Sequence, residues 1–258
     1  MRLVWHGTAS IEIQTGDTTF LFDPFVPLKH SPVPVTLKEF DGYRNVFITH
    51  GHVDHIASLP QIVKRNPDVR IHCTKTPYKT LLRKGVPEEN MVQIAPGKVW
   101  HTQGASADQS ISIKAFPGKH ARLTALSWQR AVYALRSPAR GNIPYLLKEC
   151  AISPEKRESL FYEIEAEGKR VAMMGSLNMR SDVAYPTGAD VLILPYNGWS
   201  DNYPPAMSVL ERLKPQRVLL DHYDDTFPPF TAPVPLRPIL EQSRYCVKAM
   251  ILHKEEVL

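Results

Sequence analysis

Apolar and polar positions alternate at the start of this chain with the period of a strand. In "SIEIQ", Ile11 and Ile13 are separated by Glu12, and Gln14 follows; "RLVWH" before it is short and rich in β-formers. "TGD" offers a hairpin turn into "TTFLFDP". The Pro-rich stretch "FVPLKHSPVPV" cannot be helix interior. "NVFIT", residues 45–49, is a continuous apolar run of the kind buried on both faces of a sheet, and a helix is expected after it, over 56–65.

Further on, "VRIHC" predicts a strand, and "TPYKTLLRKG" a helix with Pro77 near its start and Gly85 beyond its end. "MVQIA" and "SISIKAF" predict two more strands. From about 122 to 158 the pattern breaks, and this stretch is expected to form an inserted lid or cap rather than sheet. "SLFYEIEAEGKRVAMMG" restores a hairpin, turning at Glu167 and Gly168. "DVLILP" is a buried strand, "PPAMSVLERLKP" a helix, and "RVLLDHYDD" an apolar strand running into a polar cluster. Strands dominate both ends and each half has helices. The expected class is α/β (α+β), with two packed sheets, helices outside them, and one domain over 1–258.

Composition changes this picture little. A chain of 258 residues can bury a sizeable core, and 43% hydrophobic with 22% charged residues is ordinary for a soluble globular protein. No apolar run approaches the ~20 residues that span a bilayer. The opening "MRLVWHGTASIEIQ" turns polar too soon for a secretory leader, so a cytoplasmic location and no membrane partner are expected. Cys73, Cys150 and Cys246 are odd in number, widely spaced and form no CxxC pair; buried reduced thiols are expected. The net charge of +5 is spread without a Lys/Arg block; a solvated surface accounts for it, with an anionic substrate or nucleic acid as alternatives and nucleic acid disfavoured by the lack of a basic stripe.

The chemistry concentrates in "ITHGHVDHIAS". His50, His52, Asp54 and His55 fall within six residues, directly after the apolar run. On a loop leaving a buried strand, alternate side chains point the same way, so one short segment can serve two neighbouring metal ions. Imidazole and carboxylate are ligands that zinc, manganese or iron accept. A structural zinc site normally uses Cys, absent here, whereas a catalytic one keeps three protein ligands and an open position. Neither a GxSxG elbow nor a GxxxxGK[ST] loop is visible, so serine chemistry and nucleotide hydrolysis have no motif behind them.

"THGHVDH" resembles the HxHxDH motif of the metallo-β-lactamase superfamily of metal-dependent hydrolases, and the meander with "FLFDPF" ahead of it is similar too. Within that superfamily the chain looks like the branch near the ascorbate-6-phosphate lactonases. The resemblance implies an αββα sandwich of two mixed β-sheets flanked by helices, with metals at one edge between the sheets. It implies that His50, His52 and His120 of "AFPGKH" hold one ion, and that Asp54, His55 and His222 hold another. His101 is a rival to His120. The expected cofactor is one or two divalent ions, zinc first, with manganese or iron as alternatives.

One position departs from the pattern. Where the family usually has a bridging Gly-Asp pair, this chain has Gly175 and Ser176. A neutral serine bridges poorly, and two divalent ions close together repel. Either one ion binds tightly, or Asp224 or Asp225 supplies the carboxylate, or the site has decayed; a retained site is expected. Asp23 and His6 are candidates to support the ligands, and Asn197 and Arg122 to meet substrate. The expected function is hydrolysis of a small, anionic lactone, phosphoester or other acyl compound by metal-activated water, with Asp54 orienting that water or accepting its proton. A nuclease or phosphodiesterase, and a metal-binding protein without turnover, are the alternatives. A homo-oligomer is left open.

Overall fold

In "TTFLF", Phe20 and Phe22 point into one apolar core and Leu21 into another. That split, imposed by the two-residue period of a strand, recurs on strand after strand and sets the layering. A computed structural model describes residues 1–103, 110–120, 128–153, 158–197, 201–232 and 234–258. Its first half runs β1 (Arg2–Trp5), β2 (Ile11–Thr15), β3 (Thr18–Phe22), β4 (Asn45–Phe47), α1 (Val53–Ile56), α2 (Leu59–Arg65), β5 (Arg70–Cys73), α3 (Lys75–Arg83) and β6 (Met91–Gln93). Next come β7 (Val99–Gln103), β8 (Ser110–Pro117), α4 (Trp128–Arg136) and α5 (Ile143–Ile152). The rest is β9 (Leu160–Ala166), β10 (Lys169–Met174), β11 (Val191–Pro195), α6 (Tyr203–Leu213), β12 (Arg217–Asp221), α7 (Arg237–Gln242), β13 (Cys246–Ala249) and β14 (Glu255–Val257).

These strands make two mixed sheets, ordered β14-β1-β2-β3-β4-β5-β6 and β13-β12-β11-β10-β9-β8-β7. The central core lies between them: Phe20, Phe22 and Phe47 from one sheet meet Ile113, Tyr162, Ile164 and Met173 from the other. Behind the first sheet, Leu21, Val46 and Ile71 pack with Leu59 and Ile62 of α2 and Leu81 of α3. Behind the second, Ala172, Leu192 and Leu220 pack with Ala206 and Leu210 of α6 and Ile239 of α7. The layers are therefore αββα, as expected. Strands β4 and β12 lie in the parallel parts of their sheets, and the carboxyl ends of such strands are where open sheets place ligands.

Several expectations need correction. The helix after β4 begins at Val53 rather than 56 and breaks before Leu59, so Asp54 and His55 stand on helix, not on loop. The strands β7, β13 and β14 carry weak patterns, and their neighbours decide them: β14 pairs with β1, and β13 with β12. Of the cysteines only Cys73 is buried; Cys150 on α5 and Cys246 on the edge strand β13 are exposed. The described part of the 122–158 stretch is helical. Its α5 packs on α1, its Glu149 pairs with Lys84 of the α3 C-cap, and its Asn142 amide donates to the carbonyls of Lys29 and Pro228. The hairpin turn falls where predicted, with Glu167 and Gly168 both left-handed at φ 53° and 67°. Among the described residues no helix is long and apolar enough to cross a membrane.

Candidate metal centre

Three segments remote in sequence bring their polar ends together at one edge of the sandwich. The loop after β4 carries His50 and His52, and the first turn of α1 carries Asp54 and His55. His120 follows β8, and His222 follows β12. One donor atom each from His50, His52 and His120 lies within 4.8 Å of the others, and the same holds for Asp54, His55 and His222. His50 bridges the two groups, its ring centroid 3.9 Å from that of His55 and 4.9 Å from that of His120. Ligands ~2.1 Å from a tetrahedral zinc stand ~3.4 Å apart. His50 Nε2 and His52 Nδ1 are 3.1 Å apart, Asp54 Oδ2 and His222 Nε2 3.0 Å, and Asp54 Oδ2 and His55 Nε2 3.6 Å. The donor set and its spacing fit a divalent ion in each group.

A carboxylate behind the ligands decides which ring nitrogens face forward. Asp23, fully buried at the end of β3, accepts the Thr49 amide N–H on Oδ1 at 2.8 Å. Its Oδ2 accepts the Thr49 hydroxyl at 2.6 Å and lies 2.9 Å from His55 Nδ1. Thr49 has a single hydroxyl proton, already given to Asp23, so at 3.0 Å its oxygen accepts from His50 Nδ1–H. Both His50 and His55 therefore present Nε2 to the centre, one through Thr49 and one directly. Gly175 is needed for the same reason: a Cβ there would sit 2.4 Å from Thr49 Cβ and 2.8 Å from Ser159 Oγ. Thr49 escaped the sequence reading because in an apolar run it looks like one more β-former.

Burial and neighbouring charge set the protonation states. Burial drives His50 well below the ordinary imidazole range, and burial with the neighbouring imidazoles takes His52 down to about 3, so both are neutral and ready to ligate. Burial pulls His55 down too, but Asp23 and Asp54 outweigh it and hold this ring up at about 9. For Asp54 burial acts upward, and the charges of His55 and His222 more than reverse it, keeping the carboxylate ionised. In the metal-free chain a proton thus occupies the electrostatic well of the second group. The backbone is strained around the centre: Thr8, Asp23 and His222 have φ of 50°, 45° and 59°, and His222 N–H donates to Thr8 O at 2.9 Å.

The other predicted residues divide. The Asn197 amide lies 3.3 Å from His222 Nε2, beside the second group. Ser176 is buried directly after Gly175. Asp224 accepts the Thr8 amide N–H on Oδ2, and Asp225 accepts the Thr231 hydroxyl; neither belongs to a donor group among the described residues. His6 stands apart, its Nε2 3.2 Å from Glu12 Oε2. His101 is exposed on β7 and in neither group. Arg122 lies outside the described residues, while Arg136 and Arg140 of the insertion are exposed.

Comparison with known proteins gives the family and the fold. Residues 18–223 match a family described as the Beta-lactamase superfamily domain. A UPF0173 metal-dependent hydrolase of Sulfurisphaera tokodaii is 33% identical over 75 residues, which is 28% of this chain and 32% of that protein. The match thus spans about a third of that relative's length. Among solved structures, the metallo-β-lactamase fold protein YhfI of Bacillus subtilis superposes with a TM-score of 0.65 at 14% identity, covering 99% of each chain. Zn(2+)-bound PqqB of Methylobacterium extorquens gives 0.60 at 16% identity, covering 100% of each. At these identities the likeness concerns the fold.

Proposed function

Because the chain belongs to the beta-lactamase superfamily, we propose that it is a metal-dependent hydrolase whose centre is formed by His50, His52 and His120 with Asp54, His55 and His222. The observation that carries this is the gathering of two three-donor groups from remote segments, with Asp23 fixing a ligand nitrogen in each. The resident ion is zinc, a reading supported by an imidazole-rich donor set and by the zinc in PqqB. Such an ion lowers the pKa of its water to about 7 and polarises the substrate oxygen.

The chain's own residues do the rest. Neutral His50 and His52 ligate without first losing a proton. Asp54, ionised and beside His222, orients the attacking water; so acidic a group is a poor proton acceptor at neutral pH, so orientation rather than base catalysis is its role. Asn197, next to His222, is placed to meet the substrate. The 122–158 insertion acts as a cap on a single domain, supported by its docking on α1 and on Lys29 and Pro228. The substrate is a small, anionic acyl or phosphoryl compound, a lactone first, supported by the net charge of +5 without a basic stripe.

Elemental analysis of protein purified without added metal, followed by a panel of lactones, phosphodiesters and thioesters, tests the reading. Turnover lost in His50→Ala is expected. Turnover that survives this substitution refutes the metal mechanism. Ser176 supports one other reading, a metal-binding protein without turnover; bound ions with no hydrolysis across the panel would favour it.

A further inference from the structure

Away from the metal centre, the first turn of the chain meets its last loop. His6, at the end of β1, is 7% exposed, and its Nε2 lies 3.2 Å from Glu12 Oε2. The Tyr43 hydroxyl donates to that same carboxylate oxygen. This contact places the His6 proton on Nε2 and leaves Nδ1 as a bare lone pair, buried and without a hydrogen-bond partner. Glu39, in the 3-10 turn Leu37–Phe40, uses Oε1 to accept the Thr36 amide N–H at 2.7 Å in a capping box. Its Oε2 is buried, and no hydrogen bond reaches it. His253, held in the left-handed region at φ 58°, brings Nε2 to 2.7 Å from that oxygen in an approach misaligned for a hydrogen bond. One donor atom from each of His6, Glu39 and His253 lies within 4.8 Å of the others.

We propose that His6, Glu39 and His253 form a second, separate site for a borderline divalent cation, with zinc the best match. Two imidazoles and one carboxylate are a zinc donor set, with a fourth position left for water. Glu12 behind His6 is the outer carboxylate that fixes the tautomer of a ligating histidine. A buried lone pair without a donor is costly, and His6 Nδ1 is such an atom in a cluster completed by the half-buried Glu39 and the exposed His253, so a cation among them would satisfy it. An ion here ties together three segments far apart in sequence: the end of β1, the 3-10 turn before β4, and the loop between β13 and β14. None of its ligands belongs to the hydrolytic centre, so the proposal does not depend on the function proposed above.

Zinc titrated into the metal-stripped full chain is the probe, read by bound equivalents after dialysis and by the rise in Tm. His253→Ala is expected to bind one equivalent fewer than wild type, both alone and added to His50→Ala, and to lose part of the zinc-dependent rise in Tm. Glu39→Gln is expected to weaken that same equivalent at least ~10-fold, since it replaces a charged ligand with a neutral one. Zinc-free Tm values close to wild type establish that the variants fold, and Glu39→Gln decides the matter should His253→Ala fail to fold. Equal stoichiometry and an equal zinc-dependent Tm rise in wild type and the folded variants overturn the site.

Discussion

His50, His52 and His120 offer three imidazoles, two of them half-buried, whereas Asp54, His55 and His222 are all buried and include a carboxylate. In the first group His50 is braced through the Thr49 hydroxyl; the second has Asp23 directly on His55 and Asp54 against His222. The difference teaches how one edge can hold two ions unequally. On the proposed reading, the group with the negative charge and direct bracing would be the anchor, and the neutral, less buried group would have the freer coordination positions. His50 and the shared Asp23–Thr49 brace link the two, and Ser176 stands where a bridging aspartate is usual.

The largest effect tests whether the open group is where chemistry happens. His50→Ala removes one of its three ligands and is expected to cost turnover at least ~10³-fold, several kcal/mol of lost stabilisation, while the buried group keeps its ion. Parallel assays and metal counts check this; an emptied second group would erase the distinction. Next in size is the brace. Asp23→Ala is expected to weaken metal ~10- to 100-fold, as loss of an outer carboxylate does, and in both groups. Thr49→Val keeps Asp23 on His55 and removes the 3.0 Å contact to His50 Nδ1 with only the longer 3.4 Å one to His55 Nδ1, so chelator competition should show ~10-fold weakening in the first group and a smaller one in the second. Equal weakening of both groups by Thr49→Val contradicts the relay.

Much of this was open to reading in the chain. The paired ligands in HxHxDH follow an apolar strand, and His120 and His222 repeat the theme of imidazole just past a strand, so strand ends and residue type were enough to find them. The layering followed from the alternation of residues such as Phe20, Leu21 and Phe22. What stayed hidden depends on approach in space. Thr49 became a hub only because Asp23, at a left-handed backbone position, turned its carboxylate back over β4. The pairing of His253 with Glu39 required β14 to return to β1, and "EEV" carries no strand signal of its own.

Smaller still is the effect of restoring a bridge. Ser176→Asp adds a carboxylate to the stretch where the family usually places one, and charge attraction is expected to tighten the weaker ion ~10-fold in zinc titrations. No change would mean that Ser176 does not face the gap between the groups.

The smallest effect comes from His72, on the strand beside β4, from whose end the first group's His50 and His52 follow. This buried ring stacks on Phe47 with centroids 4.4 Å apart and 9° between planes, and its carbonyl accepts the Ile48 N–H at 2.9 Å. Burial, helped by Arg70, lowers it to about 4, while the unfolded chain titrates near 6.5. Between those values the unfolded state takes a proton that the native state refuses. Stability is therefore intact above pH 6.5, falls as pH drops toward 4, and changes no further from this group below that. The full swing is ~3 kcal/mol at most. Denaturant melts of metal-free protein at several pH values should show a flatter acid limb in His72→Phe than in wild type, with metal counts at neutral pH unchanged. Parallel acid limbs would mean the proton is taken up elsewhere. A lost ion would mean that the first group relies on the strand beside β4, and the contrast between an open and a braced group would have to be redrawn.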